Sequence, residues 1–93
     1  MADKRDANEG EIIELLRYMG CIVIQMDRHA GFDLVVVTPA DGKVHIVEVK
    51  NPERKWKLTP AEKTKKEQVE AAGGKYEIVE TLADAQRLNN LEA

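Results

Sequence analysis

Asp33, Glu48 and Lys50 stand at the ends of two strongly apolar segments, "FDLVVVT" and "KVHIVEVK". Charge is expensive in such surroundings, and the usual remedy is a partner ion or a bound metal. Side chains alternate along a strand, so Glu48 and Lys50 share one face. Between the segments, "PADG" carries turn chemistry, with Gly42 available for positive φ. A four-residue turn at 39–42 sets Asp33 opposite Glu48; a two-residue turn at 41–42 sets it opposite Lys50. In either register the three groups share the face of Val35 and Ile46. The plain alternative is a structural Asp33–Lys50 salt bridge at the sheet edge.

A fourth ionisable group is aimed the same way. Glu9, Ile12, Ile13 and Leu16 fall at i, i+3, i+4 and i+7, one stripe of a helix facing the sheet. Glu9 also suits the first turn of a helix through the dipole alone.

The elements that must position these residues follow from the rest of the chain. Asn8 or Asp6 caps the first helix and Gly20 ends it. "CIVIQM" is a first strand, and the two apolar segments are the second and third, the third stopped by Pro52. "TPAE" at 59–62 is a capping box, with Thr59 as N-cap, Pro60 at N1 and Glu62 at N3. That helix runs to about Ala72 and stops at Gly73-Gly74. "KYEIVE" is a fourth strand, and Thr81 caps a last helix through "LADAQRL". The expected order, αβββαβ(α), is an α/β domain built on a mixed central sheet flanked by helices. Leu34, Val36, Val47 and Val49 make one apolar face, and Val35, Val37, Val44 and Ile46 the other, which predicts a sheet buried on both sides.

Ninety-three residues, 33% charged and 43% hydrophobic, are one globular domain spanning 1–93. No apolar run approaches the roughly 20 residues of a membrane span. "MADKRDANEGE" has no apolar signal core, and the expected location is cytoplasmic. Cys21, the only cysteine, excludes an internal disulfide and a cysteine zinc cluster and reads as a buried, inert thiol.

The net charge of −3 conceals an uneven distribution. From Lys50 to Lys66 there are seven basic residues against two acidic ones, a basic lobe directly after the embedded carboxylates. Arg54, Lys55, Lys57, Lys63 and Lys66 are the candidates within it for phosphate contact, although a charge run is often only solvated surface. Trp56 lies among them and reads as a hydrophobic anchor for the loop, with stacking on an exposed base or contact with a second subunit as alternatives. His29 reads as a loop histidine with no further role, and His45, on the face opposite Glu48, as structural.

Glu9, Asp33 and the "EVK" of Glu48-Val49-Lys50, followed by "LTPAE", resemble the PD-(D/E)XK nuclease signature. Within that superfamily the blocks "RDANEGEIIELLRYMG", "GFDLVVV", "VHIVEVK" and "LTPAEKTKKEQVEAAGGKYEIVETLADAQRL" resemble the VRR-NUC family, especially its short stand-alone members from phages and bacteria. The resemblance covers residues 5 to 88. Two departures are Phe32, where that family usually has proline, and Lys63, where it often has glutamine. The second leaves open whether Lys63, Lys66 or Glu62 supplies an auxiliary polar group.

The resemblance implies a restriction-endonuclease-like core and a metal-dependent endodeoxyribonuclease. Asp33, Glu48, the Val49 carbonyl and Glu9 would hold Mg²⁺ or Mn²⁺, hard cations that prefer oxygen ligands. Lys50 would orient the attacking water or help deprotonate it. Small size and the lack of a reading helix argue against sequence-specific cutting. The expected substrate is branched DNA, above all a four-way (Holliday) junction, cut by a homodimer whose symmetry matches it. The alternatives are a flap or other branched-DNA nuclease needing a partner protein, and a non-catalytic DNA-binding module of the same fold.

Overall fold

The computed structural model describes residues 7–27 and 29–89. Along the chain run α1 (Glu9–Tyr18), β1 (Ile22–Gln25), β2 (Leu34–Val37), β3 (Val44–Val49), α2 (Pro60–Ala71), β4 (Tyr76–Val79) and α3 (Leu82–Asn89). This is the element order expected from the sequence. The strands form one mixed sheet in the order β1-β2-β3-β4, antiparallel except for the β3–β4 pair. Parallel pairing requires a crossover, and α2 supplies it.

Local chemistry sets the ends of the helices. Gly20 (φ 92°) closes α1, with Cys21 N–H donating to Leu16 O and Gly20 N–H to Arg17 O. Gly73 (φ 91°) closes α2 in the same double pattern, through Gly74 to Val69 and Gly73 to Glu70. In both, a glycine takes the left-handed conformation that a Cβ would oppose. At the start of α2 the expected capping box is complete: Thr59 Oγ1 accepts from Glu62 N–H, and the Glu62 carboxylate accepts from Thr59 N–H. Asn8 precedes α1, but its side chain does not cap the helix. Instead Nδ2 donates to Lys50 O (3.1 Å) and Glu80 O (2.7 Å), tying the start of α1 to the ends of β3 and β4. Asp6, the other candidate cap, lies outside the described residues.

The core fills one face of the sheet. Leu34, Val36, Val47, Val49 and Val79 pack with Ile12, Ile13 and Leu16 of α1 and Ala85 of α3. Cys21 is buried in the same cluster, and burial pushes its thiol pKa up, in keeping with an inert thiol. The opposite face differs from the expectation of double burial. Pairing aligns Ile22 and Ile24 with Val37 and Val35, and these with Val44 and Ile46. None of the six is fully buried, and Ile22, Ile24 and Val44 are 60%, 50% and 65% exposed. The physical reason is α2: a charged helix with no buried residue, it lies towards β4 and leaves the β1 side of this face uncovered. Among the described residues no helix is long and apolar enough to cross a membrane.

Candidate active site

Of the two possible turns, the chain uses the longer. Pairing of Val37 with Val44 through Leu34 with Val47 leaves 39–42 as the turn, and Gly42 takes its positive φ there. One step beyond the last pair, Asp33 falls opposite Glu48. Asp33 ends up in the bend just before β2, where its Oδ2 accepts the Val49 N–H at 2.8 Å. The carboxylate thus extends the hairpin ladder beyond its last paired residues and is held against the strand that carries Glu48 and Lys50.

Glu48 is 3% exposed, at the edge of the α2-covered part of its face. Lys50 Nζ lies 3.2 Å from Glu48 Oε2 and 2.9 Å from Glu62 Oε1. The Asp33–Lys50 salt bridge is not among these contacts; the lysine pairs with Glu48 and Glu62. Tyr76, brought alongside by the parallel register of Ile46 with Tyr76 and Glu48 with Ile78, donates its hydroxyl to Gly31 O at 2.7 Å. The same hydroxyl stands 3.5 Å from Glu48 Oε1. Gly31 has φ 86°, and a Cβ there would meet Lys65 Cβ at 2.9 Å and the Ala61 carbonyl at 3.3 Å. Its backbone therefore lets α2 rest directly on the loop that carries Asp33.

The electrostatics follow from this crowding. Burial, the Asp33 charge and hydrogen bonding to Glu62 push the Glu48 carboxyl up to about 9. Burial alone would lower the Lys50 pKa, but the Glu62 and Glu48 carboxylates outweigh it and hold the amine above its ordinary value. Lys50 is thus held as an ammonium between two acids, within reach of the Asp33–Glu48 end of the hairpin. Glu62 resists its own burial because the Thr59 N–H and Lys50 stabilise its charge, and its pKa is lowered. Burial first, then the surrounding carboxylates, raises Tyr76 and keeps it a hydroxyl donor.

Glu9 is 3% exposed in the first turn of α1, beside the Asn8 that grips the Lys50 carbonyl. The body of α1 packs on the opposite face of the sheet from Glu48. Among the described residues, no three His, Cys, Asp or Glu side chains are grouped to hold a metal ion. The donor chemistry nonetheless fits a hard divalent cation: Asp33 and Glu48 occupy opposed positions of the hairpin, burial and the Asp33 charge penalise a charge on Glu48, and the Val49 carbonyl lies between Glu48 and Lys50 in the chain.

The basic residues lie beside this centre. Arg54, Lys55 and Lys57 are exposed on the loop between β3 and α2, and Lys63 is exposed on α2. Lys66 pairs with Glu70 at 2.8 Å, one turn further along α2. Trp56 is 38% exposed, with its indole N–H donated to Glu80 Oε2 at 2.8 Å and Lys50 Nζ over its ring at 5.8 Å. His45 is part of the structure on the other face, held by Glu77 (2.6 Å) and Thr38 (3.3 Å). His29 is an exposed loop residue whose backbone N–H is held by Asp27.

Tyr76 is the site residue that sequence reasoning missed; Glu62, considered with Lys63 and Lys66 as an auxiliary polar group, is in contact with Lys50. The capping box pointed to Glu62 but not to its contact with Lys50. Nothing in "KYEIVE" marks the tyrosine.

No family model matches the chain, and no curated protein matches it. A solved structure described as a VRR_NUC domain superposes with a TM-score of 0.66 at 21% identity, over 92% of this chain and 98% of that one. The likeness shows the fold: a small α/β domain with a mixed four-stranded sheet flanked by helices, of the restriction-endonuclease-like kind.

Proposed function

We propose that this protein is a Mg²⁺- or Mn²⁺-dependent endonuclease that hydrolyses phosphodiester bonds in branched DNA, four-way junctions foremost, as a homodimer. The observation that carries this reading is the Asp33 carboxylate, held by the Val49 N–H at the position opposite the buried Glu48, which itself lies 3.2 Å from the Lys50 ammonium. A fold shared with a VRR_NUC domain supports it.

Asp33 and Glu48 would hold the cation, with the Val49 carbonyl and Glu9 as further oxygen donors. Such an ion supplies an activated water and draws charge from the scissile phosphate. The chain's own part is positional. Val49 N–H fixes the rotamer of Asp33, and Tyr76 lies against Glu48 on the side away from Lys50. Lys50, held by Glu62, presents a permanent positive charge to the phosphate where negative charge develops. Arg54, Lys55, Lys57, Lys63 and Lys66 bind flanking phosphates without reading sequence.

The homodimer reading draws on the exposed apolar face at Ile22, Ile24 and Val44, which a second copy would cover. The deciding experiment is a cleavage panel of four-way junction, flap, splayed and linear DNA with Mg²⁺, Mn²⁺ or EDTA. Paired, symmetric nicks in the junction, abolished by EDTA, are expected. A lack of cutting on every branched substrate in both metals would sink the proposal.

A further inference from the structure

The ring of Trp56 is a wall with no role in the core. Its indole N–H is donated to Glu80 Oε2 at 2.8 Å, which favours one orientation of the ring, and Lys50 Nζ sits over it at 5.8 Å. Lys55, Trp56 and Lys57 line a shallow, open depression of about 380 Å³ on the surface. The charges around the ring are Lys50 above it, Lys55 and Lys57 in the depression, and Glu80 at the indole edge. Glu80 keeps its negative charge at the indole edge and Lys50 is paired with Glu62 and Glu48, so Lys55 and Lys57 are the exposed ammonium groups that border the ring.

An aromatic surface flanked by lysines has one obvious complement. Bases stack on aromatic side chains regardless of sequence, and lysines neutralise the phosphates on either side. A base inside a continuous duplex cannot reach such a ring without leaving its stack, whereas an unpaired base already offers its face. The 5.8 Å between Lys50 and the ring is less than two base steps of about 3.4 Å. Lys50 lies over one face of the ring, so a base stacks on the other face, a short distance from the amine with the indole between them.

We propose that Trp56, with Lys55 and Lys57, is a stacking site for an unpaired nucleobase near the scissile phosphate, by which the enzyme distinguishes branched or open DNA from continuous duplex. This rests on the nuclease reading for the word scissile, but the base-binding site is testable without catalysis.

Trp56 is the only tryptophan in the chain, so its fluorescence reports on this site alone. In EDTA, an oligothymidylate and a splayed duplex should each quench it as they bind, with binding followed independently by the anisotropy of a dye on the far end of the DNA. A blunt duplex should bind with less than about a fifth of that quenching. Trp56→Ala should weaken binding of the single strand about ten-fold or more while Trp56→Phe retains most of it, both checked for native circular dichroism. Binding without quenching, equal quenching by blunt duplex, or unchanged single-strand affinity in Trp56→Ala would overturn the stacking site. Should the alanine variant not fold, the wild-type quenching and Trp56→Phe decide the matter. Cleavage without quenching removes this proposal alone, quenching without cleavage in Mg²⁺ or Mn²⁺ removes the nuclease reading alone, and no DNA binding removes both.

Discussion

Lys50 and Glu62 meet at 2.9 Å, and the same carboxylate oxygen accepts the Thr59 N–H that opens α2. One glutamate thus serves as helix cap and as the hold on the candidate catalytic amine. Glutamine can fill the N3 position of a capping box but carries no charge for Lys50. Glu62→Gln should therefore keep most of the stability yet lower kcat on junction DNA, with KM little changed. Glu62→Ala should lose the same kcat and, in addition, about 1 kcal/mol of stability. Thermal melts and steady-state kinetics of the pair separate the two roles; equal stability loss in both variants would contradict the division.

The raised Glu48 carboxyl makes a prediction about pH. Below about 4.5, its unperturbed value, Glu48 is protonated in both folded and unfolded chains and contributes nothing. Above that, the unfolded chain releases its proton while the folded one retains it up to about 9. Stability from this group is lost as pH rises across that window, by up to about 1.4 kcal/mol per unit, and levels off beyond it. In EDTA the melting temperature of the wild type should fall from pH 5 to pH 8 relative to Glu48→Gln. Mn²⁺ added at pH 8 should restore it in the wild type and not in Asp33→Asn or Glu48→Gln. Parallel wild-type and Glu48→Gln profiles would refute the shift.

Two glycines should respond in opposite directions. Gly31→Ala meets both a left-handed backbone and Lys65 Cβ at 2.9 Å, and should cost about 2–4 kcal/mol. Gly10 lies in the first turn of α1 with open space at its Cβ position, and Gly10→Ala should add up to about 1 kcal/mol. Urea denaturation of both measures the contrast.

Exposed Lys55 and Lys57 should govern salt dependence. Replacing both with alanine should flatten the slope of log K against log salt by up to about two units on junction DNA. An unchanged slope would move the DNA path away from this loop.

The open sheet face gives the assembly a specific test. Light scattering of the wild type should report a dimer at micromolar concentration, and Ile24→Lys should report a monomer with an unchanged circular dichroism spectrum. A wild-type monomer, with and without junction DNA, would remove the homodimer and favour a flap or a nicked duplex end as substrate.

The hairpin and its charges were legible in the sequence because their information is local. Gly42 marks the turn, alternation puts Glu48 and Lys50 on one face, and the choice between two loop lengths was all that remained open. Thr59, Pro60 and Glu62 declared the start of α2 for the same reason. Tyr76 was not legible, because the register of β3 on β4 is set across a crossover and leaves no mark in either strand. The apolar pattern at both parities of β2 and β3 predicts burial on both sides. It records apolar surface only; how much of that surface is covered depends on where α2 comes to rest, and Lys65 and Ala61 on Gly31 hold it near β4.

The mixed connectivity of the sheet also sets an order of assembly. The β2–β3 hairpin closes over a short turn, and with it comes the Asp33–Val49 bond. Pairing of β4 with β3 must wait for the long excursion through the basic loop and α2 to close, which costs more chain entropy and is slower. Tyr76 and Glu62 arrive with that second event. A chain that has folded only its hairpin holds the two opposed acids but neither the phenol against Glu48 nor the grip on Lys50. On the proposed nuclease reading, the set of contacts around Glu48 and Lys50 is complete only when the last strand docks.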